Sequence, residues 1–592
     1  RAIPCRGLGY GALRYLTPTG ALAQQPTPQV SFNYLGQFDW SGGGDDQSLF
    51  GAGGGGLSGD ADPLAPRTHV LDVVGRVEDQ CLEFTWSYSH NLHQQHTIAA
   101  LAADLLTELR DIIAHCAAPG AGGRTPSDFP LARLDQATVD RLVGDGRSID
   151  DIYPLTPMQA GMVFHTLAQG DQGMYFEQTT FVLDGVTDAQ LLGAAWQHVI
   201  DHTPTLRSRV VWEDVDTPLQ VVARQVSVPI TYLDWTKLSK TARGEELTRV
   251  LDEDRIQGLD LGTAPLLRLV IARLSDTTVQ LAWTFHHVLL DVWSVFGVLS
   301  DVFAAHAALS SGQRPALKAR RPFRDYLHWL SEQDHHQAHQ HWQHALSGFD
   351  SPTPLPYDRT LAKTHTSRSA QSLSWQLAHD QSDQLQQVAQ RNGLTVNTII
   401  QGAWALLLSR YSTATDVCFG ATVSGRPADL PGAEDITGIF INTLPVRIQI
   451  NHTVSVTEWL QHIQALQAET RRYDFVSLAH LQTLSDVPGG TNLFDSLVVF
   501  ENYPIDNESA TTHGLQLHEL HAIETTNYAI TLGVAPGPQL SLQLGYDPTL
   551  FNSNTIQRMA THLQILLEGI ATNPNRPVAD LPMLTQAEHH QV

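Results

Sequence analysis

Apolar residues recur along this chain with two spacings, which predict a mixture of strands and helices. Val279, Leu281, Trp283 and Phe285 lie two apart and predict a strand with one buried face. Two other segments have helical spacing and predict a buried stripe on each helix: Ile98, Leu101, Leu105, Leu109 and Ile112, and Ile556, Met559, Leu563, Leu566 and Ile570. Strands and helices mixed in this way favour a layered α/β sandwich.

Breaks in this pattern divide the chain. Residues 1–116 resemble the end of a domain, and residues 117–147, which include a Pro/Gly-rich stretch, are predicted to be a linker. The rest is too long for one core, so we predict an N-lobe at 148–330 and a C-lobe at 331–592. Ser41–Asp60 is Gly-rich and lacks lysine, which favours a surface loop over a phosphate-binding loop.

The composition narrows the class of partner and the compartment. The formal net charge of −25 argues against nucleic acid or an anionic membrane as a partner. No apolar run is evident that would span a bilayer. The four cysteines are widely scattered and fit a reducing cytoplasm. The chain starts at Arg1 without a methionine, which predicts a piece of a longer protein.

A pair of histidines at the end of the predicted 279–285 strand is the main candidate site. His286 and His287 are followed by Asp291 and then by an apolar helix. An imidazole exchanges protons or donates a hydrogen bond near neutral pH, and an aspartate can fix local geometry through a buried ion pair. The alternative is that both rings are simply satisfied polar groups at a strand end.

The spacing His-His-x-x-x-Asp resembles the core motif of condensation domains in nonribosomal peptide synthetases. Five other segments resemble motifs of the same family in the same order: Tyr153–Met162, His202–Ser208, Phe323–Tyr326, Ser424–Pro427 and Ile436–Pro445. The resemblance covers about residues 145–592. It implies a chloramphenicol-acetyltransferase-like, V-shaped pair of α/β lobes, with a partial lobe of related fold before it.

The family resemblance also implies an activity. The α-amine of an aminoacyl thioester on a downstream carrier domain attacks the thioester of a peptidyl chain on an upstream carrier. Both thioesters are held on phosphopantetheine arms of the carriers, and the domain itself is expected to bind no cofactor or metal. An adenylation domain is the expected neighbour, and the protein is expected to be a monomer.

The resemblance assigns roles to the residues of the histidine motif. His287 is the candidate catalytic residue, either as a base or as a group that positions the amine. An α-amine with a pKa of about 7.7–8.0 loses its proton at pH 7 for only about 1 kcal/mol, which favours positioning and proton relay. His286 is expected to hold a backbone group. Asp291 is expected to pair with an arginine, Arg426 first and Arg207 second.

Four further residues are candidates for the substrate or pantetheine channel. Ser424, Asn442 and Trp293 are predicted to contact a pantetheine arm or a substrate. Val292 stands where the family has glycine, so its side chain either narrows the acceptor entrance or packs inward.

The first 116 residues resemble the tail of an epimerization domain, a sister of the condensation family. Gly7–Gly11 and Phe32–Gly36 match two of its late motifs. This part lacks a His-His-x-x-x-Asp motif of its own, so we predict that it is inactive. A condensation domain after an epimerization domain resembles the class that takes a D-configured donor residue and an L-configured acceptor, and Leu155–Gln159 fits that class.

Other functions stay open at this point. One alternative is an acyltransferase that uses a free amine or alcohol, and another is a module that binds carriers without catalysis. The run His335, His336, His339, His341 and His344 suggests a metal site, but its polar surroundings favour a solvated helix that joins the lobes.

Overall fold

A computed structural model describes residues 7–17, 22–38, 66–78, 81–118, 121–169, 175–359, 371–500, 507–523 and 526–590. The chain divides into two compact units, Arg1–Ser127 and Asp128–Val592. The predicted Gly-rich loop, Ser41–Asp60, lies outside the described residues.

The first unit has a three-stranded sheet in the order β1-β2-β3, with β1 parallel to β2 and β2 antiparallel to β3. Its elements are α1 (Tyr10–Tyr15), β1 (Val30–Phe38), β2 (Leu71–Glu78), β3 (Cys81–Tyr88) and α2 (Gln95–Ala117). The helix predicted from the apolar spacing is therefore present. Its stripe is mostly not buried, because Ile98 is covered whereas Leu101 and Ile112 are 45% and 57% exposed. Helical spacing shows only that one face of a helix is apolar, and the described residues of this unit bury that face at Ile98.

The second unit starts earlier than the predicted linker allows. Phe129 is buried beneath α3 (Gln136–Val143) and packs with Val139 and Val143 against Ile152 and Val221. Residues 128–147 therefore belong to the folded unit. The apolar side chains of this segment, including Val139 and Val143 of α3, cover a small sheet that would otherwise be exposed to water.

The N-lobe contains a five-stranded sheet in the order β15-β5-β10-β9-β8 and a three-stranded sheet in the order β4-β7-β6. Its elements are β4 (Ile149–Pro154), α4 (Pro157–Gln169), β5 (Phe176–Asp184), α5 (Ala189–His202), β6 (Ser208–Val211), β7 (Leu219–Ala223), β8 (Ile230–Asp234), α6 (Lys240–Gln257), β9 (Leu267–Arg273), β10 (Thr278–His286), α7 (Val292–Ser310), α14 (Asn507–Thr512) and β15 (Gln516–Ile523).

The alternating residues of β10 form the centre of the N-lobe core. Leu281, Trp283 and Phe285 are buried in one cluster with residues of α5 and α7. The indole rings of Trp283 and Trp196 meet edge to face, with centroids 4.8 Å apart. Since β10 pairs with β5 on one side and β9 on the other, the strand that ends at His286 is held on both edges.

The C-lobe contains a six-stranded mixed sheet in the order β11-β17-β16-β14-β12-β13. Its elements are α8 (Phe323–Ser331), α9 (His335–Leu346), β11 (Gln371–Gln376), α10 (His379–Arg391), α11 (Val396–Ser412), β12 (Asp416–Val423), β13 (Asn442–Gln449), α12 (Val456–Thr470), α13 (Leu478–Thr483), β14 (Ser496–Phe500), β16 (Ile530–Ala535), β17 (Ser541–Tyr546), α15 (Ser553–Thr572) and α16 (Gln586–His589). The stripe predicted on α15 is buried in the main core of this lobe.

The boundary predicted at residue 330 does not separate the lobes cleanly. Residues 507–523 come from the C-terminal half of the chain, yet β15 pairs antiparallel with β5 in the N-lobe sheet. The hydroxyl of Ser509 also donates a hydrogen bond to that of Ser300 on α7. The hydrophobic pattern of one strand does not reveal which sheet it joins, so this exchange could not be predicted from the pattern.

Helix α7 is the one helix among the described residues that is long and apolar enough, by length and composition alone, to cross a membrane. From the sequence alone, this helix was not identified as an apolar run of that length. In the structure Val298, Leu299 and Val302 are buried in the N-lobe core, which accounts for its apolar character.

Candidate active site

The histidine motif forms a short loop between the end of β10 and the start of α7. His286 is the last residue of the strand, and Asp291 is the residue that caps the helix. The carboxylate of Asp291 accepts a hydrogen bond from the backbone N–H of Ser294, 2.8 Å away. Such a cap satisfies one of the free amides at a helix N-terminus and fixes where the helix begins.

His287 is half-buried and held at two points. Its backbone N–H donates to the carbonyl of Tyr175 at 2.8 Å, and its Nδ1 lies 2.8 Å from the carbonyl oxygen of Leu290. A carbonyl only accepts, so the proton of the neutral ring must be on Nδ1. The lone pair on Nε2 is therefore left to accept a proton or a hydrogen bond from a substrate.

His286 has the opposite tautomer and is nearly inaccessible to solvent, with 2% of its surface exposed. Its Nδ1 accepts from the backbone N–H of Val288 at 3.1 Å, so the proton of the neutral ring is on Nε2, which lies 3.4 Å from the hydroxyl of Thr166. Burial, reinforced by the neighbouring His287, lowers the pKa of His286 to about 3. His286 is thus a neutral ring that holds the backbone of Val288.

A buried ion pair joins the motif to the C-lobe. One terminal nitrogen of Arg426, Nη2, lies 3.0 and 3.1 Å from the two carboxylate oxygens of Asp291, which is fully buried. The other, Nη1, donates to the carbonyls of Ala433 and Ile436, and the guanidinium lies 4.2 Å from the centroid of the Phe440 ring. Arg426, the first candidate, is therefore the partner of Asp291.

Backbone contacts extend this junction beyond the ion pair. The hydroxyl of Ser294 donates to the carbonyl of Gly438 at 2.7 Å and accepts from the N–H of the same residue at 3.0 Å. The hydroxyl of Thr205 donates to the carbonyl of Thr437. The loop 425–440 of the C-lobe is thus fastened to the start of α7.

Two glycines in this loop have no room for a side chain. Gly425 has a φ of +61°, and a Cβ there would lie 1.8 Å from the carbonyl oxygen of Phe440. A Cβ on Gly438 would lie 2.2 Å from the ring of Phe323. Gly425 therefore allows the two ends of this loop to approach each other, and Gly438 allows the loop to approach α8.

Gln159 supports the histidine loop, although sequence reasoning did not single it out. Its side chain is fully buried, and its Nε2 donates to the carbonyl of Val288 at 2.8 Å. Its Oε1 accepts from the backbone N–H of Thr156. The only signal available was its position within the segment Tyr153–Met162, which gives no distance to residue 288.

Arg207 does not support the histidine motif, contrary to the prediction. Its guanidinium donates to the carbonyls of Ala223 and Arg224 and forms an ion pair with Asp150 at 3.3 Å. These partners belong to the small sheet β4-β7-β6 and its flanks. The sequence shows which arginines are candidates to pair with Asp291, but the fold determines which of them lies close to it.

Asn442 was predicted to contact pantetheine or a substrate, but its amide is already engaged. Its Nδ2 donates to the carbonyls of Asp474 and Val476 at 2.6 and 2.8 Å, and its Oδ1 accepts from the N–H of Thr443. With 7% of its surface exposed, this side chain ties the loop after α12 to the start of β13.

Val292 is the first residue of α7 and has ordinary helical backbone geometry. The position therefore does not require glycine for a left-handed conformation, and a branched side chain fits there without backbone strain. Val292 is half-buried, and the next residue, Trp293, is 39% exposed.

Trp293 and Ser424, both predicted channel residues, line one wide cleft with Arg426 and Asp474. The cleft has a volume of about 1850 Å³ and lies between α9, α12 and the edge strand β13. Burial, opposed by the charge of Arg471, raises the pKa of Asp474 to about 6. His287 is not among the residues that line this cleft.

The histidine-rich run forms α9, and one face of this helix is buried through Ala338, Trp342 and Leu346. It is thus less solvated than predicted. The rings of His339 and His480 approach to 3.3 Å between nitrogens. Within the described ranges no group of three or more His, Cys, Asp or Glu side chains is arranged to hold a metal ion.

The second unit matches a known family over nearly its whole length. Residues 149–592 match the family model described as Condensation domain. The chain belongs to the condensation domain family. The chloramphenicol-acetyltransferase-like two-lobed α/β fold predicted from the motifs is confirmed by the solved structures it resembles.

Curated relatives of this condensation domain include subunits of linear gramicidin synthase. Linear gramicidin synthase subunits C and B of Brevibacillus parabrevis are 39% and 40% identical over the whole of this chain. The chain spans 8% and 12% of the length of those two subunits. Among solved structures, the starter condensation domain of rhizomide synthetase superposes with a TM-score of 0.62 at 19% identity, over 73% of this chain and 98% of that one.

Breaking the ion pair of this condensation domain from one side should be costly. Asp291→Ala leaves the guanidinium of Arg426 buried without its carboxylate, which we expect to lower the free energy of unfolding by about 3–5 kcal/mol. Lys318→Ala is the control, since it breaks an ion pair with Asp435 in which the lysine is 65% exposed, for less than about 1 kcal/mol. Urea unfolding followed by tryptophan fluorescence measures both, and similar losses in the two variants would contradict the expectation.

Because His286 is buried and neutral, the free energy of unfolding should decrease as the pH is lowered. Unfolded histidine takes up a proton near its ordinary pKa of about 6.5, whereas native His286 stays neutral until about pH 3. The contribution of the neutral His286 ring to the free energy of unfolding is therefore complete above about pH 6.5. It is lost progressively as the pH falls toward 3, because the unfolded state gains a proton that the native state does not. Between pH 7 and pH 5 the wild type should lose about 2 kcal/mol relative to His286→Asn in urea unfolding.

The control for this measurement is His452→Asn, because His452 is exposed. This variant should follow the wild type across the same pH range. A constant difference between the wild type and His286→Asn at pH 7 and pH 5 would contradict the expectation, because it would show that His286 binds a proton equally well in the native and unfolded states.

Proposed function

We propose that the second unit forms a peptide bond between an upstream peptidyl carrier and a downstream aminoacyl carrier of a nonribosomal peptide synthetase. The observation that carries this proposal is the fixed tautomer of His287. With the Nδ1 proton held by the carbonyl of Leu290 at 2.8 Å, Nε2 is the free nitrogen of a ring in a preset orientation.

In the proposed reaction the α-amine of the acceptor attacks the thioester carbonyl of the donor. Nε2 of His287 accepts a hydrogen bond from the amine and orients its lone pair toward the carbonyl carbon. As the C–N bond forms, a proton passes from nitrogen to Nε2. The tetrahedral intermediate collapses, the C–S bond breaks, and the proton is transferred to the departing thiolate. The imidazole ends in its starting state.

The ion pair supports this chemistry through the backbone. The carbonyl oxygen of Leu290 accepts a hydrogen bond from Nδ1 of His287, and the next residue, Asp291, is fixed to Arg426 of the C-lobe. The orientation of the imidazole therefore depends on a contact between the lobes. His286 and Gln159 hold the same loop from within the N-lobe through Val288.

We further infer that the first unit is the C-terminal part of an inactive epimerization domain. The motifs Gly7–Gly11 and Phe32–Gly36 support this assignment. The exposure of apolar residues on both β1 and α2 fits a unit that normally packs on further protein, since Phe32, Tyr34, Leu101 and Ile112 are each at least 45% exposed. We therefore propose a D-configured donor residue and an L-configured acceptor, with an adenylation domain as a neighbour in the cytoplasm.

Removal of the imidazole tests the catalytic part of the proposal. His287→Ala should lower kcat for peptide formation by about 10²–10⁴, because positioned proton transfer contributes on this scale. The measurement uses carriers loaded with donor and acceptor and detects the product by mass spectrometry. His452→Ala, which removes an exposed histidine, should retain wild-type activity.

The same assay distinguishes the alternatives. Near-normal product formation by His287→Ala would contradict the assigned role. A wild type that binds both carriers but forms no product would favour a non-catalytic carrier-binding module. A product formed only from a free amine or alcohol would favour an acyltransferase of the wider group.

The stereochemistry of the donor provides an independent test. Donor carriers that differ only in a D- or L-configured terminal residue should react at rates that differ by about 10-fold or more in favour of D, the scale on which a shaped pocket discriminates. Chiral analysis of the L-loaded donor should detect no conversion to D, as expected for an inactive epimerization fragment. Equal rates, or faster reaction of the L form, would contradict the stereochemical assignment.

A further inference from the structure

Tyr175 has an unusual backbone conformation next to the candidate catalytic residue. Its φ is +57°, in the left-handed region that a bulky residue rarely adopts. In this conformation its carbonyl oxygen accepts the backbone N–H of His287 at 2.8 Å. An unfavourable backbone conformation is retained only where surrounding contacts hold it, and such residues concentrate at functional sites.

The side chain of Tyr175 reaches the other lobe. Its hydroxyl donates to the Oδ1 of Asn527 at 3.3 Å. Asn527 shortly precedes β16 and is anchored in the C-lobe, because the backbone N–H of Ala529 donates to the carbonyl of Asp495 and the ring of Tyr528 stacks on Phe494. One residue of the N-lobe thus contacts His287 through its backbone and the C-lobe through its hydroxyl.

The environment of this contact makes it sensitive to separation of the lobes. Burial raises the pKa of Tyr175, so the hydroxyl remains a neutral donor. A buried hydroxyl that loses its hydrogen-bond partner destabilises the protein, because it is an unsatisfied polar group. Water can replace the lost partner only when the lobes open. The ring also lies 6.5 Å from that of His286, between centroids.

We propose that Tyr175 is a positioning residue that couples the approach of the two lobes to the placement of His287. This inference rests on the proposed function, since the effect is exerted on the imidazole that the proposal makes catalytic. When Asn527 holds the hydroxyl, the strained backbone of Tyr175 keeps its carbonyl directed at the N–H of His287. When the contact is lost, Tyr175 relaxes toward ordinary backbone angles and His287 shifts.

The contact between Tyr175 and Asn527 differs from a tyrosine bond that only stabilises the fold. Tyr546 provides the comparison, because its hydroxyl donates to the amide oxygen of Gln371 at 2.9 Å. Tyr546 is buried in the main core of the C-lobe, and both residues of this hydrogen bond, Tyr546 and Gln371, belong to the C-lobe sheet. Tyr175→Phe and Tyr546→Phe therefore remove the same chemical group, but only the first breaks a contact between lobes.

The experiment measures single-turnover peptide formation and thermal stability for five proteins: wild type, Tyr175→Phe, Asn527→Ala, the double variant of these two, and Tyr546→Phe. Tyr175→Phe should lower the single-turnover rate constant about 10-fold or more at an unchanged half-saturating concentration of the loaded carriers, since a misplaced catalytic group affects the rate and not the binding. The double variant should be no slower than the slower single variant, because both changes remove one bond. Tyr546→Phe should lose stability to a similar extent and retain its rate.

Each outcome supports or contradicts the positioning role of Tyr175. If Tyr175→Phe reacts at the wild-type rate, or slows only in proportion to a loss of stability shared with Tyr546→Phe, the positioning role is wrong. Multiplying effects of Tyr175→Phe and Asn527→Ala would show that the two residues act independently and would also overturn it. Absence of product from the wild type would refute the proposed function itself, and is thereby distinguished from failure of this inference.

Discussion

The ion pair between Asp291 and Arg426 is the interaction on which the rest of the site depends. Its carboxylate performs three tasks at once: it caps α7, binds the guanidinium and accepts the backbone N–H of Phe440. A buried pair of charges contributes little net stability compared with apolar packing, but it is expensive to break from one side. Its value here is geometric, because it admits only one arrangement of α7 against the loop 425–440.

This arrangement explains how a strand end becomes a site. The strand β10 is rigid because it is paired on both edges, and α7 is rigid because its capping residue is fixed to the opposite lobe. The loop between them is short, so its two histidines have little freedom. Gln159 and Tyr175 hold the backbone of this loop through Val288 and His287. The carbonyl of Leu290 and the N–H of Val288 then assign opposite tautomers to two adjacent rings of identical chemistry.

The local elements of the site could be predicted from the sequence, whereas contacts between residues distant in the chain could not. The spacing of Leu281, Trp283 and Phe285 predicted β10, because strand periodicity is written in consecutive residues. The pairing of Asp291 with Arg426 was predicted through a family motif and not through physical reasoning from spacing. Gln159 and Tyr175 escaped notice because their roles depend on partners 129 residues away or in the other lobe. The stripe on α2 was assumed to be buried, although helical spacing shows only that a face is apolar, not that something covers it.

The exchange of β15 into the N-lobe sheet has a consequence for recombination between synthetases. A crossover placed near residue 330, where the sequence suggests that one lobe ends, would combine a β5 edge from one parent with a β15 strand from another. The register of that pair, including its irregularity between His518 and His521, would then have to match by chance. Viable chimaeras should therefore inherit residues 507–523 together with residues 148–310 from the same parent, so that the exchangeable block is discontinuous in sequence although it is continuous in space.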